Sequence, residues 1–126
     1  MVASAGVFAA EMMLELTDVS MMVFEDGKGK MKGVNVQFNE KNLFIQGRRS
    51  YKKSYSIPYN TITYMGYEIS PSQGGFRHWF TIQHVLPDST KDSYLFRLRD
   101  TDQREFRHAI FQKTGKEYSV ILMSQP

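Results

Sequence analysis

Cysteine is absent from this 126-residue sequence. Disulfides, thiolate metal sites and a cysteine nucleophile are therefore excluded. The absence fits an intracellular setting, cytoplasmic or nuclear, where domains do without disulfides. No apolar run approaches the roughly 18 residues that a membrane-crossing helix needs. The first 27 residues hold no Lys or Arg, so the apolar start Met1–Ala10 lacks the basic flank of a secretory signal. Histidine is scarce, with three residues in all. His78 and His84 fall on one face of a predicted strand at a separation of ~20 Å, too far for one ion, and His108 falls in a predicted helix. There is no His-Glu-x-x-His and no Gly-x-Ser-x-Gly. Gly27-Lys28-Gly29 lacks the trailing residues of a phosphate loop. The sequence thus offers no motif for catalysis, for a metal or for a cofactor, and the expectation is a non-enzymatic protein.

Aromatic residues are plentiful: nine Phe, seven Tyr and one Trp. With 41% hydrophobic and 23% charged residues the chain is ordinary globular. A chain of this length forms one domain and buries roughly two-thirds of its unfolded surface. The net charge of +3 conceals a segregation. Residues 1–27 carry Glu11, Glu15, Asp18, Glu25 and Asp26 and no base, whereas the remainder carries all 16 bases against eight acids. A segregated basic body favours an acidic partner, against the plainer reading of a solvated basic surface.

Short strand-like segments follow one another along the chain. Leu14, Leu16, Val19, Met21 and Val23 suit a first strand. Gly27-Lys28-Gly29-Lys30 reads as a turn. Val34, Val36 and Phe38 alternate with polar residues as a half-buried strand, and Leu43-Phe44-Ile45 is another. Gly47–Lys53 is a basic loop. Ser56-Ile57-Pro58-Tyr59-Asn60-Thr61-Ile62 joins two strands at a bend set by Pro58, which donates no ladder hydrogen bond. After the loop Pro71–Gly75, the residues Phe76, His78, Phe80, Ile82 and His84 share one face, and Tyr94, Phe96 and Leu98 form the next buried face. Asp102 with Glu105 predicts a capped helix start, Phe106, Ala109, Ile110 and Lys113 fall on one helical face, and Gly115 is a natural stop. Val120–Met123 is an apolar tail that suits a last strand or a docking segment.

This order of elements resembles the pleckstrin-homology-like superfold, including its GRAM-like and bacterial forms. The resemblance rests on Val34–Phe38, Leu43–Gly47, the Tyr55–Ile62 step, Phe80–Ile82, Tyr94–Phe96 and the helix around Phe106 and Ile110. A similar pattern occurs in the pleckstrin-homology-like domains of TFIIH core and histone-chaperone subunits. The implied architecture is mainly β: a seven-stranded antiparallel barrel or sandwich of two near-orthogonal sheets, capped by one C-terminal α-helix. Residues 19–115 would form that domain, with residues 1–18 as an N-terminal docking segment and residues 116–126 as an apolar tail. No Trp lies in the terminal helix, where conventional lipid-binding members carry one.

The superfold implies that the loops Gly27–Gly33, Gly47–Ser54 and Leu86–Asp92 gather on one open rim. The first two place Lys28, Lys30, Lys32, Arg48, Arg49, Lys52 and Lys53 there, with Tyr51 among them, as a site for an anionic partner. The leading functional expectation is a recognition module that makes protein–protein contacts, as a small subunit or adaptor in a larger assembly, its basic rim receiving an acidic protein and its N-terminal segment serving docking or self-association. The alternative is an anionic-lipid, phosphoinositide-type membrane binder, since each Lys or Arg near an anionic bilayer contributes about 1 kcal/mol. Nucleic-acid binding through the same rim ranks last, because no RNA-binding aromatic motif is present.

Overall fold

The computed structural model describes residues 13–123. They form β1 (Leu14–Glu25), β2 (Lys28–Phe38), β3 (Asn42–Gly47), β4 (Ser54–Pro58), a 3₁₀ turn (Tyr59–Thr61), β5 (Ile62–Ser72), β6 (Gly75–Val85), β7 (Lys91–Leu98), helix α1 (Asp100–Thr114) and β8 (Ser119–Leu122). The fold is mainly β with one helix after the antiparallel strands, as the sequence predicts. Two details differ from the expected seven strands in two sheets. Hydrogen bonds link eight strands into one sheet, in the order β4-β3-β2-β1-β7-β6-β5-β8. The end strands β4 and β8 do not pair, so the sheet is not closed. The extra strand comes from the apolar tail, which runs parallel to β5 from Gly66↔Ser119 to Ile69↔Leu122. It covers the row of backbone groups that an edge strand would otherwise leave open.

Alternation buries one face of β2, β3 and β6. Val34, Val36 and Phe38 of β2, Leu43 and Ile45 of β3, and Phe80 and Ile82 of β6 are all fully buried. Two strands break the alternation with a bulge. In β1 the register shifts between Leu16 and Val19, so both face the core while Thr17 and Asp18 face solvent. In β5 it shifts between Ile62 and Tyr64, so Ile62 and Met65 are both buried while Thr63 and Tyr64 face out. Apolar residues three apart inside a strand are the sequence signal of each bulge.

Helix α1 closes the core with Phe106, whose ring lies 5.2 Å from Phe38, 5.1 Å from Phe80 and 5.6 Å from Phe96. Burial of such a ring is worth roughly 1.5–3 kcal/mol. The helix begins two residues before the expected Asp102, because the Asp102 and Gln103 amides both donate to the Arg99 carbonyl. Asp102 is not the cap. It is buried and accepts the Arg99 Nε at 2.9 Å. Gly115 ends the helix with φ 67°, a left-handed conformation that costs glycine little.

Strand β1 runs through the 18/19 boundary expected between docking segment and domain. The docking expectation for residues 1–12 lies outside the described residues. No helix among the described residues is long and apolar enough to cross a membrane.

Candidate functional site

The β1–β2 hairpin turns at Asp26 and Gly27 alone, both with positive φ (52° and 77°). Such a two-residue turn matches strand twist. Lys28, Lys30 and Lys32 are therefore strand residues of β2 and not a loop. Their spacing of two puts them on one face of the ribbon, and the facing strand carries Glu25. Glu25 Oε1 lies 3.5 Å from Lys30 Nζ and 3.9 Å from Lys32 Nζ.

The loop between β3 and β4 is held by its backbone. The Tyr51 amide donates to the Arg48 carbonyl at 3.1 Å, with Arg49 left-handed at φ 57°. The Gly47 amide donates to the Lys53 carbonyl at 2.7 Å, and the Arg48 amide reaches the Gly33 carbonyl at 3.0 Å. Tyr51 does not stand on the rim with the bases. It is 8% exposed, with its hydroxyl 2.5 Å from that of Tyr55 and the Lys32 ammonium 5.9 Å from its ring centre. Burial is the largest of several influences that push the Tyr51 hydroxyl well above its usual range. Its ring is a floor under the loop, unavailable to a partner.

Arg48 meets Asp18 at 3.6 Å, and the same carboxylate lies 3.0 Å from Arg99 at the head of α1. The β1 bulge aims Asp18 at both guanidinium groups. Of the seven expected bases, then, Lys30, Lys32 and Arg48 face carboxylates of the acidic first strand. Arg49, Lys52, Lys53 and Lys28 are exposed, and no carboxylate among the described residues lies within ion-pair distance of them. The third expected loop adds an acid: Asp88 accepts the Thr90 amide at 3.0 Å and its hydroxyl at 2.6 Å, bonds that hold its carboxyl below the usual range.

Histidines 78 and 84 are buried separately, as their spacing requires. His78 Nδ1 lies 2.7 Å from the Tyr67 hydroxyl, which in turn lies 3.1 Å from Gln103 Oε1. His78 Nε2 is 2.9 Å from Asp100 Oδ1, in a geometry too bent for a hydrogen bond. The Arg107 guanidinium sits 4.4 Å above the Tyr67 ring. These contacts bind the first two turns of α1 to β5 and β6. Burial is the largest influence on Tyr67 and raises its hydroxyl pKa, against the opposing effect of Arg107.

A second surface lies at the other end of the sheet. Between α1 and β8 runs a groove of about 570 Å³ lined by Arg104, Arg107, His108, Phe111, Glu117, Tyr118 and Val120. Phe111 is 42% exposed, and Val120, Ile121 and Leu122 of β8 and Met123 after it are exposed in succession. The sequence marked Val120–Met123 as apolar and without a place in the core. What it did not reveal is the partnership with Arg104 and Phe111, which lie on the helix face opposite the predicted core face.

No family model matches the chain, and no curated protein matches its sequence. Among solved structures it is similar to a chain of the Spt16D–Pob3N heterodimer, with a TM-score of 0.57 and 8% identity. The likeness covers 90% of this chain and 56% of that one, so this chain spans little more than half of its neighbour's length. At that identity the likeness concerns the fold. The fold is pleckstrin-homology-like, as the order of elements implied.

Proposed function

We propose that this chain is a non-enzymatic recognition module for proteins, working in an intracellular assembly, whose β3–β4 loop receives an acidic segment of a partner. The observation that carries the reading is the trio Arg49, Lys52 and Lys53: three exposed bases without a local carboxylate, on a loop fixed by three backbone hydrogen bonds and a buried tyrosine. A loop already ordered loses little entropy on binding, so its charges contribute more of their attraction to affinity. Arg49 supplies the planar fork that suits a carboxylate, and the two lysines supply unspecific attraction that steers encounter. That the solved neighbour of the same fold is a heterodimer also supports a protein partner. The lipid alternative is weakened by Glu25 and Asp18, which lower the charge that a bilayer would feel at Lys30, Lys32 and Arg48.

The test compares cross-linked partners captured from native extract by the wild type and by a variant carrying Arg49→Glu, Lys52→Glu and Lys53→Glu. Loss of acidic partners in the variant is expected, with weak sedimentation of the wild type on phosphatidylserine vesicles. An unchanged partner set refutes the loop as the site, and strong low-salt vesicle binding lost in the variant returns the assignment to lipid.

A further inference from the structure

Among the described residues nothing pairs with the outer edge of β8, which lies beside the groove at the opposite end of the strand order from the β3–β4 loop. The Met123 amide donates to the Ile69 carbonyl at 2.8 Å, so Met123 points its backbone groups toward β5. Alternation along the strand then directs Ile121 and Ser119 the same way and leaves the N–H and C=O of Val120 and Leu122 on the outer edge. An outer edge of this kind is a template for one more strand. Nothing on β8 protects it: Ser119–Leu122 carries no charge, no proline and no bulge, and Val120 and Leu122 are 62% and 71% exposed.

The groove says what such a strand should carry. Val120 lies opposite Tyr67 in the β5 ladder, so Val120 and Leu122 share the face of the sheet that looks toward α1. The groove on that face offers apolar Phe111 and Val120 and the two bases Arg104 and Arg107, against the single acid Glu117. Among the described residues no carboxylate lies within ion-pair distance of Arg104 or Arg107; Arg107 instead bonds Gln103 Oε1 at 2.8 Å and the Tyr118 hydroxyl at 3.2 Å. A second copy of β8 fits poorly, since a two-fold pairing sets two such basic helix faces against one another with an uncharged strand between them.

We infer that β8 and α1 together bind an extended segment of a partner protein, apolar with acidic residues, which adds to the β8 edge as a further strand and sets its carboxylates against Arg104 and Arg107. Main-chain hydrogen bonds to Val120 and Leu122 hold it, and the groove selects its side chains.

Random dodecapeptides displayed on phage and panned against the whole chain test this, with the best-enriched peptide then measured by fluorescence polarisation. Enriched sequences should combine β-branched or aromatic residues with Asp or Glu. Leu122→Pro removes an outward N–H without touching the β5 ladder, and Arg104→Glu reverses a charge on the exposed helix face. Each should raise Kd at least about tenfold. The triple variant of the β3–β4 loop should bind the peptide as the wild type does, which separates this surface from the loop. Arg104→Glu does not touch the sheet, so it decides the matter if Leu122→Pro unfolds. The inference is overturned by failure to enrich any peptide, by enriched peptides without acids, by binding indifferent to both variants, or by a dimer in sedimentation that Leu122→Pro dissolves.

Discussion

Gly47 and Tyr51 are packed so closely that a side chain on Gly47 would overlap the Tyr51 carbonyl oxygen and stand 2.7 Å from the Tyr51 ring. The last residue of β3 and the floor of the basic loop thus touch through the absence of a Cβ. This contact folds the loop back on the strand and lifts Arg49, Lys52 and Lys53 into solvent. Gly47→Ala should cost about 1–3 kcal/mol, the usual price of overpacking. Urea unfolding measures it. A loss below about 0.5 kcal/mol would show that the loop adapts freely and is not held as described.

The Tyr51–Tyr55 hydroxyl pair anchors the same loop from beneath. Removing either hydroxyl should cost about 1 kcal/mol, and Tyr51→Phe with Tyr55→Phe together should cost less than the two separate losses added, because each partner loses the same bond. Thermal or urea unfolding of the double-mutant cycle gives the coupling. Full additivity would count against the bond.

His84 gives the fold a pH dependence. The Thr61 hydroxyl donates to the Pro58 carbonyl at 2.7 Å, so it accepts from His84 Nδ1 at 3.1 Å, and the buried Nε2 has no partner. Burial lowers the His84 pKa below its ordinary 6.5, with Asp92 opposing. The unfolded chain therefore binds the proton first as pH falls, and stability that is present above pH 6.5 declines from there down through the lowered folded value. The melting temperature should drop between pH 7.5 and 5.5 in the wild type and less in His84→Gln. Parallel profiles for the two proteins would assign the drop to other groups.

Phe106 joins the helix to both halves of the sheet through Phe38, Phe80 and Phe96. Phe106→Ala should cost about 3–5 kcal/mol, a large share of a small domain's stability. Circular dichroism melting should show early loss of the whole fold. Loss of helix signal with an intact sheet would mean that α1 is only an accessory.

Asp18 restrains two bases. Asp18→Asn frees Arg48, leaves Arg99 with Asp102 alone, and should strengthen retention on an immobilised polyanion such as heparin with little loss of stability, because the Asp18 pairs are exposed. Elution at unchanged salt would mean that the pairing leaves the rim's field unaltered.

Much of the fold is legible in residue order. Alternation fixed the buried faces Val34–Phe38 and Phe80–Ile82, Pro58 fixed the bend, and Gly115 fixed the helix end, because each depends on local sterics and a short repeat. The bulges at Asp18 and Thr63 are harder to read, since apolar residues spaced three apart also suit a helix. The tail Val120–Met123 suits a last strand as well as a docking segment, but its partner β5 was not legible, because that pairing is made across some fifty residues of chain and no local preference specifies it.

The charges show the same division. The sequence by itself determined that an acidic first segment precedes a basic body, that no cysteine chemistry or long apolar span is present, and which residues alternate into a core. Only the tertiary structure decided what those charges face. Pairing β1 against β2 sets Glu25 beside Lys30 and Lys32, and the β1 bulge sets Asp18 between Arg48 and Arg99, which lie far from it in sequence. Coulomb attraction depends on distance through space, which the register of the strands sets, and so the seven expected bases resolve into a smaller exposed group on one loop while an unforeseen pair, Arg104 and Arg107, stands beside the open edge of β8.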